Sequence, residues 1–77
     1  MEIQEKIGLR IKALRTERKL TQEAVAFLAE VDRTFMNHVE NGKRNISIAT
    51  LEKITNGLNI SLSDFFTDSI FKITADK

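Results

Sequence analysis

The apolar residues of this chain recur at helical spacing, and no segment shows the strict alternation of a half-buried strand. The clearest stripe near the start consists of Ile3, Ile7, Ile11 and Leu14, with charged residues on the opposite face. A similar stripe later in the chain consists of Ile48, Leu51, Ile54 and Leu58. There is no proline, and Gly8 weakens the first predicted helix without ending it. The pattern predicts an all-α fold.

Two short helices are predicted between these stripes, because residues typical of helix N-caps precede them. Thr21 opens a helix over about residues 22–29. Asp32 opens a second helix over residues 33–40, which ends at Asn41-Gly42, a common C-terminal signal. A tight turn of about three residues would join the two helices.

Two further caps complete the pattern. Ser47 opens a fourth helix, and Ser61 with Asp64 three residues later matches a capping box for a fifth. Five helices in 77 residues predict a single domain over residues 1–77. The expected core consists of Phe27, Leu28, Val31, Met36, Val39, Leu51, Ile54 and Leu58.

Composition excludes several classes of protein. The chain has no cysteine and one histidine, so a disulfide framework, a thiolate zinc site and a multi-histidine metal site are excluded. No nucleophile–base set or carboxylate pair suggests an enzyme, and no cofactor is expected. No apolar run approaches the roughly 20 residues that span a bilayer, and the first residues lack the order of a secretory signal. We therefore expect a cytoplasmic protein with no membrane partner.

The net charge is only +1, which does not by itself indicate a nucleic-acid partner. Its distribution is more informative. Residues 10–19 carry five basic side chains against Glu17 alone, whereas residues 61–77 are mildly acidic.

The order of capped helix, tight turn, capped helix and basic loop over about residues 21–41 is that of a helix-turn-helix, whose second helix enters the major groove. Residues 7–66 resemble the helix-turn-helix family of phage repressors and Cro-like regulators. The resemblance is carried by segments 20–23, 30–32, 39–44, 51–58 and 61–66. It implies a five-helix, lambda-repressor-like DNA-binding domain.

Within that family, segments 32–35 and 43–48 look most like the controller proteins of restriction–modification systems. The resemblance implies a homodimeric transcriptional regulator that binds paired half-sites of a double-stranded DNA operator, with RNA polymerase as a further candidate partner. A phage-type repressor and the antitoxin of a toxin–antitoxin pair are alternatives within this class. A protein-interaction module on the same scaffold is an alternative from another class, but it would be expected to have apolar residues in place of Arg33, Thr34 and Asn37.

Four residues of the second helix of the motif are candidates for reading bases, namely Arg33, Thr34, Asn37 and His38. Arginine can bond guanine with two hydrogen bonds, threonine offers a hydroxyl and a methyl group, and asparagine favours adenine. The competing interpretation is an ordinary solvated polar face. For His38, an exposed histidine without a DNA contact is nearly as well supported.

Backbone contacts are expected on both sides of that helix. The resemblance implies a phosphate contact for Gln22, at the positive end of its helix. Lys43, Arg44 and Asn45 follow in a loop that could neutralise the DNA backbone, although a solvated basic loop would have the same sequence. The resemblance also implies a salt bridge between Arg15 and Glu40 that ties the first helix to the end of the third.

The segment over about residues 61–73 is unusually apolar for the end of so small a domain. We predict that it forms a homodimer interface through Phe65, Phe66, Ile70 and Phe71. The alternative is a tail that folds back on the core of its own chain.

Overall fold

The structure, a computed structural model, describes residues 1–73 as five α-helices followed by one turn of 3-10 helix. The elements are α1 (Ile3–Glu17), α2 (Gln22–Ala29), α3 (Arg33–Glu40), α4 (Ile48–Gly57), α5 (Leu62–Phe65) and the 3-10 helix (Ser69–Phe71). This confirms the predicted all-α, five-helix fold; the last four residues of the predicted domain lie outside the described range. None of the helices over residues 1–73 is long and apolar enough to cross a membrane.

The predicted caps begin four of the helices. In each, the side-chain oxygen accepts the backbone N–H three residues later at 2.7–3.0 Å, which satisfies a donor that the helix itself cannot pair. The four capping residues are Thr21, Asp32, Ser47 and Ser61. The helix boundaries therefore follow from local chemistry.

The turn between α2 and α3 depends on a left-handed residue. Glu30 ends α2 with φ +61° and ψ +39°, a conformation that costs a residue with a Cβ more than it costs glycine. The N–H of Val31 then donates to the carbonyl of Ala26 at 3.0 Å and closes the turn. The predicted position of the turn is confirmed. Its left-handed residue was not predicted, because no glycine stands at that position in the sequence.

The core differs from the predicted one on α2. Met36, Val39, Leu51, Ile54 and Leu58 are buried as predicted, and Val31 packs against them. Phe27 and Leu28 were wrongly predicted to be in the core, since they are 82% and 53% exposed. Ile48 and Ile3, which begin the two predicted apolar stripes, are 69% and 52% exposed.

The reason is that α2 turns a face of small residues inward. Val25, Ala26 and Ala29 are buried, and α2 packs through them against α3 and α4. Phe27 lies between these positions on the opposite side of the helix, because successive residues are about 100° apart. The two largest apolar side chains of α2 were therefore assigned to the wrong face.

Gly8 lies where α1 crosses the end of α3. A Cβ atom at this position would lie 2.4 Å from the carbonyl oxygen of Val39 and 2.7 Å from that of Glu40, closer than real contacts allow. The glycine does not end α1, as expected, and the absence of a side chain lets two backbones approach each other. The position of α1 relative to α3 depends on that approach.

We expect Gly8→Ala to lower the free energy of unfolding by about 1–3 kcal/mol, the usual cost of overpacking. Urea denaturation measures the effect. Gly57→Ala is the matched control, since its Cβ would lie 3.1 Å from the Cβ of half-exposed Leu28, a contact that a shift of a few tenths of an ångström relieves. A Gly8→Ala protein as stable as the Gly57→Ala protein would contradict the assignment.

Candidate nucleic-acid interface

An ion pair between α1 and α3 lies behind the helix-turn-helix. Arg15 Nε is 2.6 Å from Glu40 Oε2, and Arg15 Nη2 is 3.1 Å from Glu40 Oε1. The two side chains are 16% and 2% exposed, so the pair is largely withdrawn from water. The hydrogen bond with Glu40 raises the pKa of Arg15 above its ordinary value. The structure thus contains the salt bridge that the resemblance implied.

Arg15 and Glu40 each have a further partner. Arg15 Nη1 donates to the carbonyl oxygen of Leu20 at 2.8 Å, in the loop before α2. Glu40 Oε1 also accepts from Nε2 of Gln22, the first residue of α2, at 2.9 Å. Three segments of the chain, α1, the start of α2 and the end of α3, therefore meet at one ion pair.

Side-chain amides extend this network toward the surface. Asn37 Nδ2 donates to Gln22 Oε1 at 3.4 Å, and Asn41 Nδ2 donates to Asn37 Oδ1 at 3.2 Å. The sequence suggested separate DNA contacts for Gln22 and Asn37, but it did not predict that they contact each other. Only the packing of α2 against α3 brings them together.

A cleft of about 310 Å³ lies between α2 and α3 and is open to solvent. We call it the α2–α3 cleft, and it is lined by Gln22, Arg33, Thr34 and Asn37. Three of the four residues suggested for base reading thus share a surface with a suggested backbone residue. The fourth, His38, is half-buried and does not line the cleft. Within residues 1–73, no three His, Asp or Glu side chains form a group that could hold a metal ion.

The loop between α3 and α4 carries the remaining suggested backbone residues. Lys43, Arg44 and Asn45 are all exposed. The guanidinium carbon of Arg44 lies 4.9 Å from the ring centroid of Phe35, a cation–π distance. This contact holds Arg44 over α3, and sequence spacing alone gave no signal for it.

The apolar C-terminal segment folds partly onto its own chain. Phe65 is fully buried, so its assignment to a dimer interface is wrong. Phe71 is half-buried against the core, and its ring centroid lies 4.9 Å from that of Phe66. Phe66 is 38% exposed, and Ile70 is half-buried. The alternative of a tail that folds back therefore holds for Phe65 and, in part, for Phe71.

Arg10 anchors this segment to α1. Its Nε donates to the carbonyl oxygen of Phe65 at 2.8 Å, and its Nη2 donates to that of Asp64 at 3.0 Å. Its Nη1 lies 3.4 Å from a carboxylate oxygen of Asp68. Arg10 is one of the charged residues that the sequence analysis placed opposite the apolar stripe of α1. Its position four residues before Leu14 puts it beside that stripe, and this spacing was the signal that could have revealed its contacts.

Two capped helices joined by a tight turn, with exposed polar side chains on the second, define a helix-turn-helix DNA-binding domain. A protein-family model described as "Helix-turn-helix" matches residues 11–65. The control protein C.MunI of a Mycoplasma species is 46% identical over 68 residues, which cover 87% of this chain and 92% of the relative. The chain belongs to the helix-turn-helix family, and it is a DNA-binding transcriptional regulator.

Solved structures agree with this assignment. The restriction–modification controller protein C.AhdI from Aeromonas hydrophila is 38% identical, with a TM-score of 0.78 over 82% of this chain and 96% of that one. The controller protein C.Esp1396I, solved as a tetramer in complex with its natural 35 base-pair operator, is 36% identical, with a TM-score of 0.81 over 86% of this chain and 87% of that one. This chain is therefore similar to controller proteins in both sequence and fold.

The ion pair generates a stability prediction. We expect Arg15→Met or Glu40→Leu alone to lower the free energy of unfolding by about 3–5 kcal/mol, because each leaves a buried charge without its partner. The double variant should lose less than the sum, since it removes both charges. Urea denaturation of all four proteins in a double-mutant cycle measures the coupling, and strictly additive losses would show that the two side chains do not interact.

Proposed function

We propose that the protein is a controller protein of a restriction–modification system that binds paired half-sites of an operator in double-stranded DNA as a homodimer. It would act by occupying DNA and without covalent chemistry, in the cytoplasm of a bacterial cell. The observation that carries the proposal is the α2–α3 cleft, where Arg33, Thr34 and Asn37 of α3 are exposed together. Its similarity to an operator-bound controller protein supports the same function.

In this proposal α3 enters the major groove. Arg33 would bond guanine, Asn37 would bond adenine, and Thr34 would contact a base through its hydroxyl or methyl group. His38, beside the cleft and half-buried, is a weaker candidate for a base contact. Gln22 would hold a phosphate, because the N-terminus of α2 offers unpaired N–H groups and a positive dipole end.

The loop after α3 would contact the DNA backbone on the other side. Lys43, Arg44 and Asn45 are exposed and can neutralise or bond phosphates. The stacking of Arg44 on Phe35 would hold that charge close to α3. RNA polymerase remains a candidate partner, since a regulator of transcription works at a promoter.

The controller assignment is favoured over the alternatives. The similarity spans 92% of C.MunI and 96% of the C.AhdI chain, so it is not limited to a DNA-binding part of larger proteins. A protein-interaction module is disfavoured, because polar and not apolar side chains line the α2–α3 cleft.

The proposed dimer interface is smaller than the one that the sequence suggested. With Phe65 inside the core, the apolar side chains available in this segment are Phe66 and Ile70, with Ile73 at 92% exposed beside them. A two-fold dimer would place two α3 helices about one turn of DNA apart, roughly 34 Å.

We predict different effects for Arg33 and Lys43. Arg33→Ala should cost about 1–3 kcal/mol on the preferred operator and little on operators changed at the base pair that Arg33 reads. Lys43→Ala should weaken every duplex similarly and make the log–log salt dependence shallower by about 0.9, because one phosphate contact is lost. The preferred operator is first found by selection from a random duplex pool.

Binding titrations at several salt concentrations, on matched and singly altered duplexes, separate the two effects. A uniform loss from Arg33→Ala with unchanged base preference would remove Arg33 from the set of base-reading residues. A wild-type protein that selects no duplex sequence from the pool would refute the proposed function.

We also predict a dimer at micromolar concentration in sedimentation equilibrium. Phe66→Lys should shift the protein to the monomer, because the charge would lie in the apolar interface. Phe27→Lys is the matched control, since Phe27 is 82% exposed on α2, and this variant should stay dimeric. Monomeric wild type, or a dimer unaffected by Phe66→Lys, would contradict this interface.

A further inference from the structure

In the hydrogen-bond network between Glu40 and the α2–α3 cleft, each side-chain amide donates to the neighbour that lies closer to Glu40. Gln22 donates to Glu40, Asn37 donates to Gln22, and Asn41 donates to Asn37. Each amide therefore turns its nitrogen toward Glu40 and its oxygen away from it. Asn37, which is proposed to read a base, is thus linked to the carboxylate of Glu40 through Gln22.

This direction has a physical cause. The donor and acceptor ends of an amide have nearly the same shape, so an amide alone can be placed either way round. A carboxylate that is paired with a guanidinium only accepts, and both oxygens of Glu40 accept from N–H groups of Arg15. Gln22 must therefore direct its NH₂ group to Glu40.

The orientation of the Gln22 amide then determines the orientation of the Asn37 amide. Because the nitrogen of Gln22 is turned to Glu40, its oxygen faces Asn37 and accepts a hydrogen bond from that residue at 3.4 Å. Asn37 supplies its NH₂ group, which turns its own oxygen toward Asn41. After these bonds Asn37 retains one N–H and one oxygen lone pair, enough to contact a base with two hydrogen bonds.

We infer that Glu40 is a positioning residue that, through Gln22, fixes which way round Asn37 presents its donor and acceptor to a base pair. The inference rests on the proposed function. In the major groove an A·T pair and a T·A pair offer their donor and acceptor in opposite positions. An amide held in one orientation distinguishes the two pairs, whereas an amide that can turn over accepts both.

The test begins by locating the base pair. Asn37→Ala, titrated against singly altered operators, identifies the position at which preference depends on Asn37. Wild-type protein and the variants below are then titrated against four duplexes that carry each base pair at this position. The quantity compared is the ratio of affinities for the A·T and T·A duplexes.

Gln22→Met removes the link to Glu40 and keeps the length of the side chain. We expect the A·T to T·A ratio to fall about fivefold or more, because a good base contact carries at least that discrimination. Gln22→Glu keeps an acceptor for Asn37 but places a second carboxylate beside Glu40 and near the phosphates. It should bind all four duplexes more weakly and keep the wild-type ratio.

Gln4→Met is the matched control, since Gln4 is the only other glutamine of the chain, and it should change neither affinity nor ratio. Thermal unfolding checks that both variants at position 22 are folded. The inference is overturned if Gln22→Met weakens all four duplexes equally, if Gln22→Glu loses the ratio, or if Asn37→Ala changes no base preference. Wild-type protein that selects no duplex would overturn both this inference and the proposed function, whereas an unchanged ratio in Gln22→Met overturns the inference alone.

Discussion

The buried pair of Arg15 and Glu40 is the constraint on which the α2–α3 cleft depends. A carboxylate that is 2% exposed is costly unless its oxygens receive donors, and Glu40 receives two from Arg15 and one from Gln22. Apolar residues of similar volume often stabilise a fold as well as such a pair does. What the pair adds is directional contact, because its hydrogen bonds join α1, the start of α2 and the end of α3.

Gly8 and Arg15 act together on α1. They lie seven residues apart, about two helical turns, so they project from nearly the same face. Gly8 brings the α1 backbone against the carbonyls at the end of α3, and Arg15 bonds the side chain of Glu40 from the same helix. A steric contact and a directional one thus hold α1 across α3, and α1 cannot shift along its axis without breaking one of them.

The sequence was most informative where structure follows from local chemistry. Thr21 and Asp32 mark helix starts because their side chains satisfy backbone donors within three residues. Phe27 was misassigned because apolar size suggests burial, whereas the packing of α2 depends on which face is small enough for close approach. The bond between Gln22 and Asn37 joins two helices, so no spacing along one helix could reveal it.

The positions of the basic side chains explain why binding to DNA would benefit from a dimer. Two of the five basic side chains in residues 10–19, Arg10 and Arg15, are largely buried in bonds to other segments of the molecule and are not available to phosphates. With a net charge of +1, the long-range attraction to DNA is weak, so affinity would depend on local contacts such as those proposed for Lys43 and Arg44. A two-fold dimer would make each phosphate contact and each base contact twice. The free energy lost when the protein's translation and rotation are restricted on DNA is paid only once. A monomer would make only half of these contacts and would therefore distinguish an operator less well from other DNA.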